Sequence, residues 1–180
     1  MKVETTDIEG LLLIRPTVFE DGRGYFFESY NKAAFSEHGI NVDFVQDNQS
    51  LSQKDVLRGL HYQDPPYAQG KLVRVLSGSV LDVAVDIRKN SKTYGKNVGV
   101  ILSAKEKNTL YIPPGFAHGF LTLENDTVFS YKCTNYYNKS SEGCLLWNDP
   151  ILAINWGISS PLLSEKDKNG RAFASFISLF

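Results

Sequence analysis

An all-β sandwich, jelly roll or barrel is the fold class this sequence predicts, on three observations. Short runs of β-forming residues recur along the chain, each bounded by Gly, Pro, Asn or Ser. Helical patterns between these runs are few, which argues against a doubly wound parallel sheet. Aromatic residues make up 12% of the 180 residues, a share that suits a β core or a β interface.

Taken in order, the elements read as follows. The N-terminus, MKVETTDIEGLLLIRP, has an apolar run from Leu11 to Ile14 that is too short for a signal segment and follows three acidic residues. Asn31 to His38 predicts two turns of helix, with Gly39 as the C-terminal cap. Leu72 to Leu76, the turn Ser77-Gly78-Ser79, and Val80 to Ile87 predict a hairpin. In its second strand Leu81, Val83, Val85 and Ile87 share one face, and Asp82, Ala84 and Asp86 the other. Further strands are predicted at Val98–Leu102, Thr109–Ile112, Gly119–Leu123, Val128–Thr134 and Gly143–Trp147. Pro150–Ile154 and Ser164–Asp167 suit single turns of helix, and Gly170–Phe180 reads as an interface or a frayed tail. No linker, repeat or low-complexity tract divides the chain, so residues 1–180 read as one domain.

Composition bounds the function. Lys and Arg number 19, Asp and Glu 20, giving a net charge of −1; this argues against a nucleic-acid partner or a membrane-surface patch. No window approaches ~18 uninterrupted apolar residues, so no span is expected and the cytoplasm is the expected compartment. Two cysteines and three histidines are too few for a zinc ribbon or a disulfide scaffold. Cys133 and Cys144 read as core or surface thiols, neither disulfide nor nucleophile, and His38 as a surface residue.

Two segments carry chemistry. The first is Leu57-Arg58-Gly59-Leu60-His61-Tyr62-Gln63, followed by Lys71 and Gly78; the second is Pro113-Pro114-Gly115-Phe116-Ala117-His118. Together they resemble the two motifs of the cupin double-stranded β-helix, His-x-His with a Glu and a Gly, then Pro-x-Gly-x-x-His. His61, His118, Gly78, Pro113 and Gly115 match that pattern. Gln63 stands where the second histidine would be, and Lys71 where the glutamate would be. An ammonium group among the ligands repels a divalent ion and removes its counter-charge, so the resemblance implies a cupin pocket with no metal and no cofactor.

Such a pocket has an acid–base reading. A lysine ammonium can stabilise a developing oxyanion. A histidine can accept a proton, and Asp167 is a candidate to orient it. Tyr131, Tyr136 and Tyr137 are candidate acids for the opposite face. Base, acid and oxyanion clamp together describe proton abstraction α to a carbonyl; the residues alone do not separate epimerisation from other enolate chemistry.

Over nearly its full length the chain resembles the dTDP-4-dehydrorhamnose 3,5-epimerase family. The matching blocks include Asp21–Glu28, Phe44–Ser50, Leu57–Gln63, Gln69–Val75, Asp82–Arg88, Pro114–Phe120, Tyr131–Thr134 and Leu163–Asp167. The resemblance implies a dTDP-sugar substrate whose C4 ketone acidifies C3–H and C5–H. It implies His61 as base, Asp167 as its orienter, Lys71 as the clamp on the C4 oxygen and Tyr131 as acid. Arg23 and Arg58 would hold phosphates and sugar, Glu28 the thymine edge, and Tyr137 the nucleoside by stacking. Gln46, Asn48, His118, Glu142 and Lys166 would complete the polar lining. It also implies a homodimer that exchanges N-terminal segments, so that Arg23 or Glu28 enters the partner's pocket. Epimerisation at C3 alone, action on another nucleotide, a metal-dependent cupin isomerase or oxygenase, and a non-catalytic sugar-binding cupin remain alternatives at this level.

Overall fold

The computed structural model describes residues 1–180. Thirteen strands run in chain order: β1 (Lys2–Thr5), β2 (Leu12–Arg15), β3 (Phe19–Asp21), β4 (Gly24–Phe26), β5 (Gln46–Ser52), β6 (Leu57–Gln63), β7 (Lys71–Ser77), β8 (Ser79–Asp86), β9 (Asn97–Ser103), β10 (Thr109–Ile112), β11 (Phe116–Thr122), β12 (Thr127–Cys133) and β13 (Glu142–Cys144). Two short helices, α1 (Lys32–Glu37) and α2 (Glu165–Lys168), complete the set with one 3₁₀ turn at Phe173–Ser175. A six-stranded sheet has the order β1-β2-β10-β7-β12-β5, a five-stranded sheet the order β13-β6-β11-β8-β9, and β3 and β4 form a separate ribbon.

The two large sheets face each other across a core made by both. Val73, Val75, Leu110, Ile112 and Phe129 come from the first sheet, and Val80, Ala84, Leu102, Phe116 and Phe120 from the second. Phe120 and Phe129 stack across this interior with centroids 4.1 Å apart. Each such side chain contributes roughly 1.5–3 kcal/mol by leaving water. The architecture is a cupin-type jelly roll, as the sequence predicts.

Both sheets are also covered on their outer faces. α1 is capped by the Asn31 side chain, which accepts from the Ala33 and Ala34 amides, and Gly39 follows it at φ +83°. Its Phe35 packs with Ile14, Ile40, Leu72 and Tyr111 outside the six-stranded sheet. Outside the five-stranded sheet, Leu57, Leu60, Val83, Val85, Ile87, Ala117 and Leu121 meet Leu152, Trp156, Phe173 and Phe176. The C-terminal tail is therefore part of this outer core, neither frayed nor simply exposed. Ile177 and Leu179 are its exposed large apolar residues.

The expected hairpin of Leu72–Leu76 and Val80–Ile87 is corrected. β7 pairs with β10 and β12, whereas β8 pairs with β11 and β9, so the chain changes sheet at Ser77-Gly78-Ser79. Gly78 permits this at φ +79°, where a Cβ would lie 2.2 Å from Thr127 Oγ1. The alternation in β8 is correctly read, but its face with Asp82 and Ala84 is the interior one. Its Val83 and Val85 face packs beneath the C-terminal layer. Pro150–Ile154 forms turns and no helix, with Asp149 Oδ1 accepting from the Ile151 amide. The strand predicted at Gly143–Trp147 is shorter and shifted, Glu142–Cys144. No helix is long and apolar enough to cross a membrane.

Gly78→Ala is expected to destabilise the fold by about 1–3 kcal/mol from backbone strain, with the Thr127 clash added. Urea unfolding measures it; an unchanged midpoint would mean that the turn tolerates a side chain.

Candidate active site

Strand register assembles the site. In the six-stranded sheet Lys71 pairs with Cys133, Val73 with Tyr131, Tyr131 with Asn48, and Cys133 with Gln46. Directly paired residues share a face, so Lys71, Tyr131, Gln46 and Asn48 project with Val73 into the space between the sheets. In the five-stranded sheet His61 pairs with His118 on one side and with Cys144 on the other, and Gln63 pairs with Glu142. These face the first group from the opposite wall.

At the open end of the sandwich lies a cavity of about 210 Å³. Gln46, Asn48, His61, Tyr62, Gln63, Gln69, Lys71, Tyr131, Tyr137 and Glu142 line it. Seven of the sequence-predicted residues thus converge: His61, Lys71, Tyr131, Gln46, Asn48, Tyr137 and Glu142. Asp167 lies just behind His61, buried, with Oδ1 2.6 Å from His61 Nε2. Lys166 Nζ reaches Glu142 Oε1 at 2.5 Å, and the Tyr137 hydroxyl donates to Glu142 Oε2 at 3.2 Å. These contacts tie the helix bearing Asp167 to the cavity rim.

The His61–Asp167 pair fixes a proton. Burial pushes the Asp167 carboxyl up, but hydrogen bonds from His61, Ser164 and the Gly59 amide outweigh it and hold it below the ordinary carboxylate range. Ser164 Oγ donates to Asp167 Oδ2 at 2.7 Å and accepts from the Asp167 amide, which makes it the cap of α2. A carboxylate only accepts, so the Nε2 proton of His61 points at Asp167 and Nδ1 carries the free lone pair. Burial lowers the His61 pKa below its ordinary value, opposed by Asp167 and assisted by Lys166 and Lys71. The imidazole is therefore neutral at pH 7, a state in which Nδ1 can accept a proton.

Lys71 is half-buried and has no carboxylate within 4.0 Å. Burial depresses its pKa, while Cys133, Asp82 and Glu142 act in the opposite direction. Its ammonium is thus available to an anionic ligand without an ion pair having to break first. Burial raises the Tyr131 phenol above its ordinary value, so it holds its proton and can donate it.

Other predicted residues fall elsewhere. His118 is buried below the cavity with Nε2 2.9 Å from Asp82 Oδ2, so it underpins the floor and does not line it. Arg58 is exposed, anchored by Nε to Ser52 Oγ at 3.1 Å, and its charge reaches Tyr131. Arg23 is 91% exposed on the β3–β4 ribbon and paired with Asp21. Glu28 is exposed and accepts from Asn31. Neither lines the cavity of its own chain.

Gln63, the departure from the metal motif, is fully engaged. Its Nε2 donates to the carbonyls of Tyr67 and Tyr136, and its Oε1 accepts from the Asn138 amide. It clamps two loops through three hydrogen bonds. Ser164, Asp82 and Cys144 are the neighbours that sequence reasoning missed. The capping position of Ser164 before Glu165 was the one available signal.

Asp167 raises the His61 pKa, so removing its charge lowers it further. NMR titration is expected to give His61 a pKa below ~6.5, and a lower one still in Asp167→Asn. A rise in the variant would contradict the pairing.

Comparison with known proteins agrees with this fold. Residues 5–175 match the family model described as dTDP-4-dehydrorhamnose 3,5-epimerase. The chain is 55% identical over 174 residues to the enzyme of that name from Shigella flexneri, covering 96% of each chain. The crystal structure of dTDP-4-dehydrorhamnose 3,5-epimerase from Elizabethkingia anophelis superposes with a TM-score of 0.93 at 54% identity, covering 97% of each chain. The dTDP-6-deoxy-D-glucose-3,5-epimerase from Legionella pneumophila, solved with dTDP-4-keto-L-rhamnose, gives 0.94 at 48% identity, covering 98% of this chain and 94% of that one. The motif blocks, the jelly roll and the paired histidine and aspartate thus meet in one conclusion: the chain belongs to the dTDP-4-dehydrorhamnose 3,5-epimerase family.

Proposed function

We propose that this chain, acting as one domain, inverts C3 and C5 of dTDP-4-dehydro-6-deoxy-D-glucose to give dTDP-4-dehydro-L-rhamnose. His61 Nδ1 removes the proton α to the C4 ketone, and Asp167 stabilises the imidazolium that forms. Lys71 faces the C4 oxygen as it becomes an enolate. Tyr131 returns a proton to the other face of the ring. After one inversion His61 holds an extra proton and Tyr131 lacks one. Exchange with solvent resets both before the second carbon reacts. C3 and C5 flank one ketone, so the same three groups serve both.

The observation that carries this reading is the placement of base and acid on facing sheets. His61 projects from the five-stranded sheet and Tyr131 from the six-stranded one, with Lys71 lining the same cavity. A proton removed at one wall and returned from the other inverts the carbon between them. Gln46, Asn48, Tyr137, Glu142 and Lys166 then belong to the binding surface, with Arg58 at its edge and His118 beneath its floor. Two free thiols and a nucleotide-sugar substrate suit the cytoplasm.

The β3–β4 ribbon supports a homodimer. Phe19, Tyr25 and Phe26 are 64%, 60% and 66% exposed on it, beside Arg23. Three exposed aromatics on one ribbon are costly in water and suit an interface. Placed across a two-fold axis, the ribbon brings Arg23 and Glu28 to the partner's cavity, where a guanidinium suits a diphosphate.

Two measurements test this reading. Tyr131→Phe is expected to keep solvent exchange at the substrate carbons while slowing inversion about 10²-fold or more; unimpaired inversion would remove Tyr131 as the acid. Arg23→Ala and His61→Ala proteins are each expected to be impaired. When they are unfolded together and refolded as mixed dimers, about a quarter of wild-type activity should return, since one site in each hetero-dimer is intact. No recovery would mean that each cavity is completed by its own chain.

A further inference from the structure

Cys144 is a group that the epimerisation does not use, yet it stands beside the catalytic pair. The β13–β6 register sets it directly across from His61. Its Sγ lies 3.8 Å from Asp167 Oδ1, the same oxygen that holds His61 Nε2 at 2.6 Å. One donor atom from each of His61, Cys144 and Asp167 falls within 4.8 Å of the others. We propose that these three residues form an inhibitory site for a thiophilic divalent cation such as zinc.

The donor set suits that ion. Zinc takes sulfur at about 2.3 Å and nitrogen or oxygen at about 2.0–2.2 Å, so tetrahedral ligands stand roughly 3.3–3.8 Å apart. The sulfur–oxygen spacing already meets this. The nitrogen–oxygen spacing must widen by roughly 0.7 Å, a shift that a side-chain rotation supplies. A neutral imidazole, a carboxylate and a thiolate balance the two positive charges. A mixed sulfur, nitrogen and oxygen set favours zinc over magnesium or calcium, which take oxygen alone. Lys71 and Lys166 oppose a cation here, but Lys166 is already paired with Glu142. This set shares only His61 with the cupin metal motif, whose second and third positions are Gln63 and Lys71.

Coordination would stop the enzyme by a defined route. Metal–nitrogen, metal–sulfur and metal–oxygen bonds form. The Cys144 thiol and His61 Nε2 each lose a proton to solvent, and Nδ1 gains one. The lone pair that would remove the substrate proton is thereby lost, and Asp167 no longer orients the ring. Inhibition rests on His61 acting as base; binding does not.

Cobalt(II) and zinc separate the two. Purified protein titrated with cobalt(II) is expected to show thiolate-to-cobalt charge-transfer absorption saturating at one equivalent, absent in Cys144→Ala and Cys144→Ser. Zinc is expected to inhibit turnover reversibly, with a chelator restoring it, and to be at least about tenfold less potent against both variants. Their turnover without zinc should equal that of the parent, and circular dichroism checks that they fold. Absence of the absorption in the parent, or equal zinc potency in all three proteins, would overturn the site. Absorption without inhibition would keep the binding, overturn the inhibitory role and count against His61 as base.

Discussion

The hydrogen bond between His61 and Asp167 joins residues 106 positions apart, and segments of the C-terminal third hold Asp167 in place for it. α2 has four residues and cannot be stable by itself. It is held by Ser164 at its cap, by the bridge from Val56 to Leu162 before it, and by the bridge from Leu145 to Arg171 after it. Trp156, Phe173 and Phe176 then bury the outer face of the same sheet that carries His61. The Trp156 indole donates to the Trp147 carbonyl at 2.8 Å, and the Phe173 amide to Asp149 Oδ2 at 2.7 Å. An apolar layer laid on the outside of the sandwich thus fixes a carboxylate behind an imidazole on the inside.

Charge at the cavity follows from how these groups are buried. Each wall presents a group whose protonation state suits the proposed reaction. His61 is neutral because burial outweighs its aspartate, and Tyr131 is protonated because burial disfavours the phenolate. Lys71 faces the space between them with no ion pair of its own, while the second histidine, His118, is committed to Asp82. One histidine is thus open to the cavity and the other, buried, supports the floor. The near-neutral net charge of −1 conceals this concentration of polar groups at one end of the fold.

Much of this was legible in the sequence, and the exceptions have physical causes. Alternation and turn residues identified β8 to β12 and the fold class. β5 escaped because its inward positions, Gln46, Asn48, Ser50 and Ser52, are polar where a core strand would be apolar. That departure is itself a sign of a cavity wall. Gly78 looked like a hairpin turn because a sheet-to-sheet crossing needs the same left-handed residue. His61, Lys71 and His118 were found from motif positions, but the partner of His118 was not, since Asp82 sits in an ordinary-looking strand. Cys144 reads in the sequence only as a core or surface thiol. Its proximity to Asp167 depends on strand register and on the placement of α2, neither of which local sequence encodes.

In the proposed reaction His61 is the single base for both carbons. The most direct measurement is the His61→Ala protein incubated in D2O with the 4-keto sugar nucleotide, with deuterium at C3 and C5 read by NMR and nucleotide affinity measured alongside. The parent should exchange both positions, and the variant neither, with nucleotide affinity nearly unchanged. Deuterium appearing at either carbon at the parent's rate in the variant would contradict the account.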